Sequence, residues 1–129
     1  MGSADITQTV DEVEGVAASM VIGAELAGGD YYMPLFVVPT NGRNVDDEMR
    51  EVIVQAIRTN ISPRYVPDEI LEAPAVPKTR TGKIMEVPIK KLFQGAGPET
   101  LNRATAEDPR ILDWYAEQAE SFQQNRHEG

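Results

Sequence analysis

A glycine directly before a lysine is the pair of residues in this chain best suited to chemistry on an anion. Gly82 has no Cβ, so its backbone can approach a partner closely, and Lys83 presents a flexible positive charge beside it. The surrounding segment is basic, although the whole chain of 129 residues carries a net charge of −9. Its cations include Lys78, Arg80, Lys83 and Lys90. The pattern favours contact with a phosphate or a carboxylate; on spacing alone, a basic loop with a solvated lysine is the alternative.

A nucleotide-binding loop of the Walker type is excluded by the residues around this pair. Such a loop has a glycine six positions before its lysine, and a serine or threonine directly after the lysine to hold magnesium. Here Pro77 and Ile84 occupy these two positions. Lys83 therefore does not belong to a phosphate-cradling turn between a strand and a helix.

Four segments together resemble a known family. Residues 77–84, with the sequence PKTRTGKI, resemble the final core motif of the adenylate-forming acyl-CoA synthetases, in which the lysine after the glycine is catalytic. Three flanking segments resemble the C-terminal domain of one branch, the acetoacetyl-CoA synthetases. They are GDYYMPLFVV (residues 29–38), SPRYVPDEI (62–70) and EVPIKKLFQG (86–95). The resemblance covers roughly residues 2–120.

The resemblance implies roles for particular residues. Lys83 matches the catalytic lysine, and Gly82 and Thr81 match loop residues beside the bound substrate or cofactor. Thr79 and Thr81 can also bond the loop backbone and hold its shape. Arg58 lies 25 residues before Lys83, where related short-chain synthetases carry an arginine near the phosphates of coenzyme A. A solvated arginine at the end of a helix is an equally good interpretation of Arg58. The sequence offers no metal ligands at recognisable spacing.

The resembled enzymes activate a carboxylate with ATP and then transfer the acyl group to coenzyme A. For this branch the resemblance implies acetoacetate, ATP and coenzyme A as substrates, with Mg²⁺ held through a large N-terminal adenylation domain. That domain is not among these 129 residues. We therefore expect residues 1–129 to be one C-terminal domain, a fragment that is inactive alone, with a flexible tail over about 123–129. The domain would swing on a hinge, presenting the lysine for adenylation and a face of the coenzyme A tunnel for thioester formation.

The implied partners are the N-terminal domain and, because the motif lysine is acylated in relatives, a protein acetyltransferase acting on Lys83. Two rival assignments stay open. An acetyl- or propionyl-CoA synthetase would share the lysine motif, since acyl specificity resides in the other domain. A free-standing interaction module with a basic loop would share its charge without any catalysis.

Composition sets wider limits on function. The acidic balance argues against nucleic acid as a partner, because its phosphates would be repelled by the average surface. No apolar run approaches the ~20 residues that span a bilayer, and no leader sequence is recognisable. We therefore expect a cytoplasmic location and no membrane as a partner. The absence of cysteine excludes disulfides and thiolate chemistry.

Hydrophobic periodicity predicts an α+β domain in which a small β-sheet containing a hairpin packs with helices. The hairpin is predicted from strands over residues 16–26 and 31–38, joined by a turn at 27–30, with a third strand over 69–73. Pro34 lacks an N–H, so its strand is predicted to lie at an edge or to carry a bulge.

Four helices are predicted between these strands and after them. The first begins at Ser3; the second begins after the N-cap Asn44, and Ser62-Pro63 stops it. Its apolar face is predicted to comprise Val45, Met49, Val52, Ile53, Ala56 and Ile57. A short third helix is predicted around Pro88, and a last one begins at the Asp108-Pro109 pair.

Overall fold

The computed structural model describes the backbone of residues 3–128 and the side chains of residues 3–126. The elements follow in the order α1 (Ser3–Asp11), β1 (Val16–Val21), β2 (Ala24–Glu25), β3 (Tyr31–Tyr32), β4 (Pro34–Pro39), α2 (Asp47–Asn60), β5 (Glu69–Glu72), α3 (Glu86–Phe93) and α4 (Pro109–Glu128), with short 3₁₀ turns between several of them. The mixture of helices with small sheets confirms the predicted α+β class.

The chain divides into two compact units. The first unit comprises the chain up to Val21 and Met33–Val76, and the second comprises Ile22–Tyr32 and the chain from Pro77 onward. Within residues 3–128 no helix combines the length and hydropathy that a membrane span requires.

The first unit is built on a three-stranded sheet in the order β1-β4-β5. β1 and β4 are antiparallel, with Val21 opposite Leu35, whereas β4 and β5 are parallel. The prediction for Pro34 was wrong, because β4 is the central strand and the irregularity lies in β1, between Val16 and Ala18. Pro34 is tolerated because it is the first residue of its strand, where a missing N–H disturbs the ladder least.

The predicted hairpin is split between two sheets. β1 pairs with β4 in the first unit, while β2 and β3 form a separate two-stranded sheet in the second, with Ala24 opposite Tyr32. The break in the first predicted strand falls at Gly23, where a Cβ would overlap the hydroxyl of Tyr31. A glycine inside a strand pattern marks such a close approach, and here it separates β1 from β2.

Helices α1 and α2 supply the other half of the first unit's core. Ile6, Val10, Met49, Ile53 and Ile57 are buried, and they belong to the same cluster as the sheet residues Val21, Leu35 and Val37.

The start of α2 differs from the prediction. Asp46, not Asn44, is the N-cap, and its Oδ1 accepts a hydrogen bond from the Met49 N–H at 2.8 Å. Val45 precedes the helix, and its N–H donates to Glu72 Oε1 at 2.7 Å. Val52, predicted to face the core, is 48% exposed because it lies on the outer side of the helix.

The second unit has its own core between α3 and α4. Ile89, Leu92 and Phe93 of α3 are buried, as are Leu112, Tyr115 and Ala119 of α4. Burial in this core raises the pKa of the Tyr115 hydroxyl far above its ordinary value. Tyr32 stacks on Phe122 with ring centroids 4.1 Å apart, which adds the two-stranded sheet to the same core.

The segment predicted as a flexible tail begins as part of α4. Gln123 Nε2 donates to the Phe93 carbonyl oxygen at 2.6 Å, and Arg126 pairs with Asp30 at 3.7 Å. Helical backbone extends to Glu128, while Gly129 and the side chains after Arg126 lie outside the described residues. Gln123 thus contacts α3 and Arg126 contacts the residue before β3; the flexibility of residues 123–129 stays a prediction.

Candidate functional site

The lysine motif forms a tight hairpin in the second unit. The Gly82 N–H donates to the Thr79 carbonyl oxygen at 2.9 Å, closing a turn, and Lys78 and Ile84 form an antiparallel bridge beyond it. Gly82 has φ +91°, which residues with a Cβ rarely adopt. Apart from its two chain neighbours, no described residue has an atom within 4 Å of the place where its Cβ would stand. Within this chain the glycine is therefore required for backbone conformation and not for space.

Thr79 holds the backbone of Lys83 inside this hairpin. The Thr79 N–H donates to the Lys83 carbonyl oxygen at 2.8 Å, and the Lys83 N–H donates to Thr79 Oγ1 at 3.1 Å. The Thr81 hydroxyl lies 3.0 Å from the Thr79 hydroxyl. The prediction that a threonine bonds the loop backbone is confirmed for Thr79, and Thr81 takes part through its contact with Thr79.

The side chain of Lys83 is exposed. Among residues 3–126, its Nζ has neither a hydrogen bond nor an ion pair, unlike Arg103 and Arg110, which pair with nearby aspartates. Two residues after Lys83, the Met85 N–H donates to the Pro77 carbonyl oxygen at 2.9 Å, and Met85 is buried at the start of α3. The hairpin thus presents a cation from a fixed backbone with its charge available to a ligand.

The hairpin lies beside the segment that leads into α4. The sequence analysis made no prediction for residues 99–107, and no sequence pattern pointed to their contacts with the lysine hairpin. Asp108 caps α4, its Oδ1 accepting from the Arg110 N–H at 3.1 Å. Hydrogen bonds from Arg110 hold the pKa of Asp108 below its ordinary value. Similarly, the hydrogen bond from Arg103 to Asp113, with their charge attraction, raises the pKa of Arg103.

Arg58, the predicted coenzyme A contact, lies in the first unit in the last turn of α2. Its side chain is exposed and makes no hydrogen bond or ion pair with the side chains that the structure describes. A cation in the last turn of a helix also interacts favourably with the helix dipole, so both interpretations of Arg58 remain compatible with its position.

A groove of about 420 Å³ lies elsewhere in the second unit, between the end of α3 and the middle of α4. Its lining is largely apolar, with residues such as Leu92 and Ala119, and it includes the carboxylates Glu117 and Glu120. It does not include Lys83 or any other cation. Nothing about this groove suits an anionic ligand, so the lysine hairpin remains the candidate site.

Comparisons with known proteins agree with the sequence motifs. The family model described as the AMP-binding enzyme C-terminal domain matches residues 6–83, more than half of the chain. An acetyl-coenzyme A synthetase of Marinobacter nauticus is 30% identical over 88% of this chain, and an acetoacetyl-coenzyme A synthetase of Rhizobium meliloti is 29% identical over 90%. In both cases the chain spans 17% of the length of the relative.

A solved structure extends this likeness to the fold. The acetoacetyl-CoA synthetase from Streptomyces lividans superposes with a TM-score of 0.86 at 42% identity, covering 94% of this chain and 18% of that protein. The resemblance predicted from the four sequence segments is confirmed by these matches.

Proposed function

Because the chain belongs to the family of AMP-binding enzyme C-terminal domains, we propose that it is the mobile C-terminal domain of an ATP-dependent acetoacetate–CoA ligase. The observation that carries this proposal is the exposed Lys83, which has no partner among the described side chains and stands on a hairpin whose backbone is fixed by Thr79. In this proposal Lys83 assists the adenylation step, and Gly82 and Thr81 lie beside the bound substrate.

The chemical need for such a lysine follows from electrostatics. The carboxylate of the substrate and the α-phosphate of ATP are both anions, and the carboxylate oxygen must attack the phosphorus. An ammonium group that contacts both offsets their repulsion and stabilises the charge that develops on the phosphate oxygens. Holding the two groups in contact lowers the barrier further, by on the order of 7 kcal/mol at the favourable end.

The reaction proceeds in two halves. The carboxylate oxygen of acetoacetate forms a bond to the α-phosphorus while pyrophosphate leaves, giving the acyl-adenylate. The thiol of coenzyme A then attacks the acyl carbon, loses its proton and displaces AMP. The C-terminal domain presents Lys83 in the first half and turns another face to coenzyme A in the second.

This chain carries the lysine and not the whole site. Among the described residues no group of three or more histidine, cysteine or carboxylate side chains could hold a metal ion. We therefore assign the binding of ATP with its Mg²⁺ and of the acyl group to an adenylation domain outside these residues. The 129-residue chain alone should then release no pyrophosphate from ATP and acetoacetate.

Arg58 is proposed to contact a phosphate of coenzyme A in the second half-reaction. Its exposure at the end of α2 and its lack of a partner among the described side chains support this role. In the full-length protein, Arg58→Ala should raise the KM for coenzyme A about ten- to hundredfold, the effect of losing a hydrogen bond to a charged group at ~1–3 kcal/mol. Adenylation should be spared. An unchanged KM would leave Arg58 as a solvated helix-end residue.

Lys83 is also proposed as a target of a protein acetyltransferase, because acetylation of this exposed amine would remove the charge that adenylation needs. Incubating the full-length protein with an acetyltransferase and acetyl-CoA, followed by peptide mapping, tests this. Loss of activity without modification of Lys83, or modification elsewhere with activity unchanged, would count against it.

The acyl substrate is the part of the proposal with the closest rival. Relatives named for acetyl-CoA and for acetoacetyl-CoA are equally similar in sequence, whereas the structure at 42% identity is an acetoacetyl-CoA synthetase. Assaying the full-length protein with acetoacetate, acetate and propionate decides between them. We expect the highest kcat/KM with acetoacetate; a preference for acetate or propionate would reassign the ligase, and no activity with any acid would favour an interaction module.

A further inference from the structure

We propose that residues 103–107, here called the brace, hold the Lys83 hairpin in its reactive shape and that Arg80 is the side chain that ties them together. This inference rests on the proposed function for its effect on adenylation. The contacts themselves are independent of that function. The family model matches residues 6–83, and the brace lies outside this range. The segment that contacts the lysine motif is therefore not part of the matched region.

The brace pairs with the hairpin through the backbone. The Glu107 N–H donates to the Lys78 carbonyl oxygen at 2.8 Å, and the Arg80 N–H donates to the Thr105 carbonyl oxygen at 2.9 Å. Between these bonds, Thr79 and Ala106 form an antiparallel bridge. The brace therefore pairs with one arm of the hairpin at a single antiparallel bridge, directly after the 3₁₀ turn Arg103–Thr105. Isolated two-stranded hairpins are marginally stable in water, so these additional backbone hydrogen bonds add order.

Arg80 adds a side-chain bond at the tip of the hairpin. Its Nε donates to the Ala104 carbonyl oxygen at 2.9 Å, although Arg80 stands in the turn where its charge would be expected to face solvent or a ligand. The bond commits one donor of this guanidinium to the brace. Arg80 is thus a positioning residue that acts on Lys83 through the shape of the turn.

The brace is itself anchored in the second unit. Ala106 is only 1% exposed, and Arg103 pairs with Asp113 in the first turns of α4. The Thr105 hydroxyl donates to the Asn102 carbonyl oxygen at 2.9 Å. Movement of the hairpin away from the brace would therefore expose a buried residue and break the bridge at Thr79. Thr79 is the residue that bonds both backbone groups of Lys83.

Two substitutions at Arg80 separate its hydrogen bond from its charge. In Arg80→Gln the amide nitrogen stands the same number of bonds from Cα as Nε, so a donor to Ala104 is kept while the charge is lost. Arg80→Met has a similar length and no donor. We expect hydrogen exchange at the amides of Arg80, Gly82 and Lys83 to accelerate about three- to tenfold in Arg80→Met, the range of one net hydrogen bond, and much less in Arg80→Gln.

In the full-length protein the same two variants should differ in the rate of adenylate formation. Arg80→Met should lower kcat for adenylate formation about three- to tenfold, leave the KM values little changed and spare thioester formation from supplied adenylate, and Arg80→Gln should recover most of the loss. Lys78→Met removes a neighbouring exposed charge and serves as the control for exchange. Exchange in the middle of α4 reports whether each variant is folded.

The outcomes distinguish the brace from the proposed function. Equal activity loss in Arg80→Gln and Arg80→Met, with amide exchange unchanged, would mean that Arg80 acts by charge on a ligand and would overturn the brace. Unchanged exchange and unchanged kinetics in both variants would overturn it as well. If Lys83→Ala leaves adenylation intact while Arg80→Met still accelerates exchange, the proposed function fails and the brace stands as a structural contact.

Discussion

Thr79 bonds both backbone groups of Lys83: its N–H donates to the Lys83 carbonyl oxygen at 2.8 Å, and its Oγ1 accepts from the Lys83 N–H at 3.1 Å. A lysine side chain is long and flexible, so the precision of its ammonium group depends on how firmly its backbone is held. Thr79 supplies that hold without touching the side chain. The hairpin can therefore present a mobile cation from a fixed origin.

Replacing Thr79 should slow adenylation when the substitution removes its hydroxyl group. Thr79→Val keeps the shape but leaves the Lys83 N–H without its acceptor, so adenylate formation by the full-length protein should slow about two- to tenfold, as for one hydrogen bond. Thr79→Ser keeps the oxygen and should remain close to the parent. Pyrophosphate release at saturating substrate measures the difference. If valine and serine behave alike, the Oγ1 contact does not position the lysine.

Gly82→Ala should destabilise the chain through backbone strain alone. The φ of +91° costs a residue with a Cβ roughly 1–2 kcal/mol, while no neighbouring atom would clash with the new methyl group. Denaturant unfolding of the 129-residue chain measures this free energy. Gly42→Ala is the matched control, because Gly42 has φ +81° and similar open space in the first unit.

Both glycine variants should lose comparable stability, yet only Gly82→Ala should impair adenylation in the full-length protein. Equal effects on activity would indicate that general stability, and not the shape of the hairpin, limits the reaction.

Asp46→Ala should cost about 1 kcal/mol of unfolding free energy, because it removes the side-chain acceptor of the Met49 N–H at the start of α2. Asn44→Ala should cost far less, since the contact that Asn44 makes with Asp46 uses its backbone carbonyl oxygen at 3.1 Å. Chemical unfolding of the two variants in parallel compares them. A larger loss for Asn44→Ala would support the cap predicted from sequence.

Asp108 should make stability depend on acid pH. Arg110 lowers the folded-state pKa of Asp108 below its ordinary value of 3.8, so the stabilisation is present above that value and is lost as the pH falls through the lowered pKa. Asp108→Asn keeps an N-cap oxygen and removes the titration. The difference in unfolding free energy between the parent and this variant should therefore decrease as the pH is lowered from 7 toward 3. A constant difference would contradict the assigned cause.

Sequence patterns predicted the local features of this fold well. The class, the amphipathic α2 and the basic loop that carries Lys83 follow from periodicity, turn residues and a recognisable motif; the hairpin form of that loop does not. Errors of one or two residues arose where two polar residues compete for one cap, as with Asn44 and Asp46. The backbone dihedral angles decide which of the two residues caps the helix, and residue propensities do not specify those angles.

Long-range relationships were not predictable in this way. The pattern of residues 16–38 resembles one hairpin, and only the pairing of β4 with β5 and the contact of Gly23 with Tyr31 divide it between two sheets. The contacts of residues 103–107 with the lysine hairpin likewise join segments more than twenty residues apart, mostly through backbone groups, with one bond from the Arg80 side chain. Backbone hydrogen bonds carry little side-chain signature, which explains why the candidate site was found and its support was missed.

The most direct test of the account is the effect of Lys83→Ala on the two half-reactions of the full-length protein, with Lys78→Ala as a control for loss of an exposed cation from the same hairpin. Removing the ammonium group should slow adenylate formation by about 100- to 1,000-fold, the range seen when one group that stabilises transition-state charge is deleted. Thioester formation from supplied acyl-adenylate should largely survive, and Lys78→Ala should affect both halves little. If Lys83→Ala impairs both half-reactions equally, the lysine supports the fold or the hinge and its assignment to adenylation is wrong.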